Sequence, residues 1–135
     1  MDTVLDTDIV VSALLFRGSA APIYGAILMG TIRPIMCPSI LGEYRRVLSY
    51  EKFGLSHGDV EYLLAQEVSP FFIPYPEPHG AENWIPEDPS DNKFIDLAVC
   101  IPGCILVSGA SHILDHRSKL PCQVHTLAEF VRFIN

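Results

Sequence analysis

Apolar positions fall in two rhythms along this chain. Short apolar or β-branched runs bounded by turn residues alternate with longer stretches where apolar residues recur every three or four positions. The first short run, Thr3–Val4–Leu5, predicts a strand that stops at Asp6, and the apolar stretch from Ile9 to Leu15 predicts a helix. Ala20–Met29 predicts a second helical piece, with Ser19 as its cap and Gly30 as its stop. Thr31–Cys37 predicts a second strand, and Pro34 within it points to an edge or irregular strand. Pro38 and Ser39 end that strand. Ser39 then caps a helix to about Tyr50, striped by Ile40, Leu41, Tyr44, Val47 and Leu48. Ser56 and Asp59 open another helix, to about Val68, and Phe71–Ile73 is a short strand candidate.

Pro74 to Ser90 is a long loop with five prolines, the only tryptophan, Trp84, and the acidic pair Glu87–Asp88. Loops of this length in compact domains are functional or mobile segments. Asp91–Ile101 predicts a helix with the stripe Phe94, Ile95, Ala98 and Ile101; Asp91 falls on that stripe, while Asp96 points the other way, toward solvent. Cys104–Ser108 is apolar without alternation, as a buried parallel strand should be. Gly109–Ala110–Ser111 turns it into Ile113–Leu114. Gln123–His125 is a last short strand. Thr126 and Glu129 form a capping box before a final helix with the stripe Leu127, Phe130, Val131 and Ile134. Strands alternate with helices throughout. The expected class is α/β, a three-layer α/β/α sandwich around a parallel sheet.

At 135 residues the expectation is one domain spanning 1–135. A 49% hydrophobic chain can bury a core and is not disordered. No run approaches the roughly 18 apolar residues of a membrane span. The chain enters a strand almost at once, without a basic leader, so no signal peptide is expected and the expected compartment is the cytoplasm. Cys37, Cys100, Cys104 and Cys122 show no C-x-x-C pairing, and Cys100 and Cys122 sit in apolar stretches; buried reduced thiols are expected. The five histidines are scattered along the chain. A net charge of −7 argues against a broad nucleic-acid-coating surface, but not against a small acidic metal site, which adds to that total.

Three acids fall at strand-to-helix transitions. Asp6 ends the first strand, where open α/β sheets place their ligands; as an N-cap residue it also suits the following helix. Glu43 lies in the first turns after the second strand, about 100° from the stripe centre on a helical projection. Asp91 opens the helix before the buried strand, where an acid also suits the helix dipole. In a parallel sheet such transitions share one edge, so the three carboxylates can converge. Mg²⁺ or Mn²⁺ suits all-oxygen ligands and keeps waters that serve as nucleophiles, the chemistry of a metal-dependent phosphodiesterase.

The chain resembles the PIN domain family, and within it the toxins of toxin–antitoxin systems. The matching pieces are Val4-Leu5-Asp6-Thr7-Asp8, the stretch from Ser39 to Leu48 with Glu43-Tyr44-Arg45-Arg46-Val47-Leu48, Asp88-Pro89-Ser90-Asp91-Asn92-Lys93-Phe94, and Leu106-Val107-Ser108-Gly109 with His112-Ile113-Leu114. Each is weak alone, but their order and spacing are fairly specific. The resemblance implies Mg²⁺- or Mn²⁺-dependent cleavage of single-stranded RNA, with Asp6, Glu43 and Asp91 at the acidic metal positions and Ser108 at the hydroxyl position after the fourth strand. Asp8 stands where the family usually has Asn, and Ala110 where it usually has an acid after the glycine. A methyl group binds no metal, so a weakened site is expected, with Asp115 and Asp88 as candidate substitutes. Arg45, Arg46, Lys93 and Arg117 are the basic residues nearest the motifs and candidate phosphate contacts. The resemblance further implies a small antitoxin that occludes the site, and self-association. Two other readings stand beside it. Asp6-Thr7-Asp8-Ile9-Val10 also fits the D-x-D-x-[TV] motif of haloacid-dehalogenase-like phosphatases, which leaves Glu43 and Asp91 unexplained. Ala110 also allows a catalytically impaired binding or regulatory module on the same fold.

Overall fold

A computed structural model describes residues 1–80 and 82–135. Among these described residues five strands form one parallel sheet in the order β3-β2-β1-β4-β5. They are β1 (Asp2–Leu5), β2 (Arg33–Met36), β3 (Ile73–Pro74), β4 (Ile105–Val107) and β5 (Gln123–His125). The α-helices among the described residues connect and follow them: α1 (Thr7–Val11), α2 (Ala21–Leu28), α3 (Pro38–Leu48), α4 (His57–Leu63), α5 (Asn92–Val99), α6 (Ser111–His116) and α7 (Leu127–Ile134). The order winds outward from β1 to β3 on one side and from β4 to β5 on the other. Right-handed crossovers then require helices on both faces, which makes the expected α/β sandwich. The three central strands are buried: Val4 lies between Ile35 and Leu106, and all three are almost inaccessible to solvent. Among the described residues no single helix is long and apolar enough to cross a membrane.

Several boundaries differ from the sequence expectation, each for a local reason. Pro34 sits in β2, which is not an edge strand. Arg33 donates its N–H toward β1, to Met1 O at 2.7 Å. The next residue along a strand faces the other neighbour, and β3 begins only opposite Ile35. The missing proline donor therefore leaves no ladder bond unmade. Helix α3 starts two residues early, with Cys37 as N-cap and Pro38 in its first turn, so Ser39 does not cap it. Glu77 from the long loop does: its carboxylate accepts from Ser39 N at 2.7 Å and Ser39 Oγ at 2.6 Å. Ser19 caps nothing; a 3₁₀ turn over Gly18–Ala20 leads into α2. Gly30, at φ +75°, stops α2 as expected.

The apolar run after Asp6 begins its helix at Thr7, and a π-helical turn, Ser12–Phe16, continues it. A second π-helical turn, Leu64–Val68, extends α4, whose capping box of Ser56 and Asp59 is in place. Asp91 belongs to the 3₁₀ turn Pro89–Asp91, and α5 runs from Asn92 only to Val99. Asp96 is not solvated: it is half-buried and accepts the Trp84 indole N–H at 2.8 Å, which ties the long loop to α5. All four cysteines are free thiols, but Cys100, just past α5, is exposed rather than buried, and Cys122 is half-buried. The Thr126–Glu129 capping box opens α7 as the sequence predicts.

Candidate functional site

The winding of the sheet reverses between β1 and β4, and in open α/β sheets ligands bind outside the carboxyl ends of the strands at such a point. Asp6 follows β1 there and Ser108 follows β4. Asp6 N donates to Val107 O at 3.0 Å, which holds the residue against the end of β4. One carboxylate oxygen accepts from Thr7 N at 2.6 Å and the other from Ser108 Oγ at 2.6 Å. The residue is only 6% exposed. Burial pushes its carboxyl up to about 6; the bonds from Ser108 and Thr7 oppose the rise, and Asp91 and Asp8 add to it. The N-cap role is real, and so is a desolvated acid among other acids.

Glu43 is brought in by its neighbour. Tyr44 is fully buried and donates its hydroxyl to Leu5 O at 2.7 Å, which pins α3 to the end of β1. Glu43 then turns toward the same edge, where the Thr7 hydroxyl donates to it and Lys93 Nζ lies at 2.6 Å. Arg46 stands 3.7 Å away. Asp91 is half-buried, and its carboxyl is raised by burial and by Asp88 and Glu43, against the pull of Lys93 and His112. Asp8 is exposed on the first turn of α1.

Asp6, Asp8, Glu43, Asp88 and Asp91 all line one open cleft of about 680 Å³. Yet among the described residues no three acids, histidines or cysteines converge on a point as a ligand set. Glu43 meets the Lys93 ammonium instead, because like charges separate and an ammonium neutralises one of them. The donor chemistry itself, oxygen-only and anionic, fits a hard divalent cation.

The other candidates divide. Ala110 lines the cleft, as its place after the β4 glycine implies; its N–H donates to Ser108 Oγ at 3.0 Å and it occupies the N-cap of α6 without a side-chain cap. Asp88 lines the cleft, while Asp115 is exposed on α6 and is not among the lining residues. Of the basic residues, Lys93 and Arg46 stand at Glu43, whereas Arg45 pairs with Glu61 and Arg117 with Glu129. The structure adds residues the sequence did not single out as site residues: His112 and Lys52, and the rings of Phe16, Tyr50 and Phe53, all lining the cleft. His112 had a signal, two residues past Ala110. The aromatic residues had none, since they sit in turns whose direction no periodicity encodes.

A family model of the PIN domain matches residues 2–110. No curated protein matches the chain. The match runs from the first residue of β1 to the residue after the β4 glycine, and so takes in each of the five acids in the cleft. The chain belongs to the PIN domain family.

Proposed function

We propose that this chain is a Mg²⁺- or Mn²⁺-dependent ribonuclease that cleaves single-stranded RNA, weakened by Ala110. PIN domains are generally hydrolytic nucleases, and the family match leaves the phosphatase reading of Asp6 without support. The observation that carries the proposal is Asp6: a buried carboxyl held up to about 6, at the sheet's switch point, among four further acids. Buried acids with raised carboxyls cluster at functional sites, and a cation would relieve the cost of ionising this one.

Asp6, Glu43 and Asp91 are the residues that would hold the cation. When bound, it would supply a water of lowered pKa and charge neutralisation at the phosphate. The protein's own part is positional. Ser108 and Thr7 N hold both oxygens of Asp6, and Ser108 is itself fixed by Ala110 N. The Thr7 hydroxyl and Lys93 orient Glu43. Lys93, whose ammonium donates to Glu43 and to Ser90 O, would give up Glu43 for a phosphate oxygen as substrate enters. Hydrolysis breaks one P–O bond of the RNA backbone and adds the water's hydroxyl and proton across it.

A second reading, a binding or regulatory module with an impaired site, is favoured by one observation: the cleft lacks an acid at Ala110. The toxin resemblance adds two partners to the proposal, an antitoxin that covers the cleft and a second copy of the chain. The test is cleavage of single-stranded RNA with Mn²⁺, wild type against Asp6→Asn. Slow cleavage by the wild type, abolished in the variant, supports the nuclease. Equal rates overturn it, and wild-type binding without cleavage selects the second reading.

A further inference from the structure

The acids account for only part of the cleft. Phe16, Tyr50, Lys52 and Phe53 line it as well, and none of them serves the chemistry described above. Phe16 is 64% exposed and Tyr50 41%. Phe16 and Phe53 are tilted neighbours, with ring centroids 6.0 Å apart. Phe53 and Tyr50 each have a cation beside them: Lys52 Nζ lies 5.2 Å from the Phe53 centroid, and Arg46 lies 5.9 Å from that of Tyr50 while donating to its hydroxyl at 2.8 Å. Lys52 makes no ion pair among the described residues.

The display of Phe16 is built. It ends the π-helical turn Ser12–Phe16, and Arg17 follows at φ +60°, ψ −84°, the one non-glycine residue with positive φ among the described residues. Arg17 is held there by its guanidinium, which donates to Ala13 O and stacks 3.5 Å over the Tyr24 ring. π-Helical turns and strained residues concentrate at functional sites. Here they turn a large apolar ring into an open cleft.

We infer that Phe16, Tyr50 and Phe53 are a base-stacking platform for unpaired nucleotides, with Lys52 and Arg46 as contacts for the intervening phosphates. The inference rests on the proposed RNA cleavage and names what positions the strand. Aromatic faces interleaved with cations match the alternation of base and phosphate along a single strand. A protein partner fits less well, because three partly exposed rings present far less than the roughly 800 Å² per side of a standard interface. A platform of this kind tolerates many sequences, since every base has a stacking face. It also lets a chain of charge −7 hold RNA through a small cationic patch.

The test is binding of an eight-nucleotide oligouridylate, followed by fluorescence anisotropy in EDTA so that no cleavage intervenes. An abasic strand of the same length is measured beside it. Phe16→Ala and Phe53→Ala should each weaken the oligouridylate roughly 5- to 150-fold and leave the abasic strand unchanged, with native circular dichroism. Phe53→Trp should restore binding. Tyr62→Ala removes an aromatic residue that is 67% exposed and outside the cleft, and should do nothing. Equal wild-type affinity for the two strands, or undiminished binding by a folded Phe16→Ala, overturns the platform. So does a folded wild type that binds no oligonucleotide, which would leave a protein as the cover of these rings. Because the assay needs no catalysis, it reads separately from the Asp6→Asn comparison, and either idea can fail alone.

Discussion

Asp6 makes the stability of this protein depend on pH in a direction opposite to that of an ordinary paired carboxylate. Its ordinary value is 3.8, and burial raises it to about 6 in the folded chain. The folded state therefore binds this proton more tightly than the unfolded state, and stability from this group is fully present below 3.8 and lost as pH rises through about 6. A rise of about two units corresponds to at most about 3 kcal/mol. Asn is nearly isosteric: its oxygen accepts from Thr7 N, and its amide can donate to Ser108 Oγ. In EDTA, urea titrations from pH 4 to pH 7 should show Asp6→Asn gaining on the wild type by up to about 3 kcal/mol. A constant difference across that window would mean that Asp6 is not the buried acid described. Ala110 supplies a second residue-scale prediction. Ala110→Asp should tighten Mn²⁺ binding roughly 10- to 100-fold, read by calorimetry. The same substitution caps α6, worth about 1 kcal/mol by itself. Ala110→Asn caps without adding charge, so it should share the stabilisation and not the gain in metal affinity.

At the scale of elements, the site depends on where α3 begins and what pins it. Tyr44 fixes its middle to β1, and Glu77 caps its first turn from the proline-rich loop. Burial raises the Glu77 carboxyl, but the bonds from Ser39 outweigh it and leave the group below its ordinary value. Glu77→Ala should cost about 1 kcal/mol in urea unfolding, the usual loss for a helix cap. It should also leave the proposed Mn²⁺ binding nearly unchanged, because Tyr44 still holds the helix that carries Glu43. The sequence shows the stripe of α3 clearly. It does not show that Ser39 is capped rather than capping, because the partner lies 38 residues away.

At the scale of the whole molecule, charge is segregated rather than merely negative. The cleft gathers five acids, and Arg45 and Arg117 are neutralised by surface acids elsewhere. Few cations are left to face a nucleic acid. A single-stranded ligand that meets about three of them, Arg46, Lys52 and Lys93, should show a shallow salt dependence, with a slope of about −2.1 in a plot of log affinity against log salt. Oligouridylate titrations over a range of KCl concentrations measure it. A much steeper slope would place the strand on a basic surface other than this cleft.

By itself the sequence determined the alternation of strands and helices, the unbroken apolar runs of the central strands, and the transition points where Asp6, Glu43 and Asp91 stand. These are local consequences of periodicity, turn residues and caps, and each is written within a dozen residues. Tertiary structure alone decided which charges meet. Lys93 neutralises Glu43 across 50 residues, Ser108 orients Asp6 across 102, and Trp84 reaches forward to Asp96 from the long loop. It also decided that Pro34 is harmless, because β3 starts one residue too late to need its missing donor. The direction of Phe16 likewise follows from a π-helical turn and one strained residue, and no hydrophobic pattern records either. Side-chain neighbours far apart in the chain are set by strand order and crossover, which only the folded sheet defines.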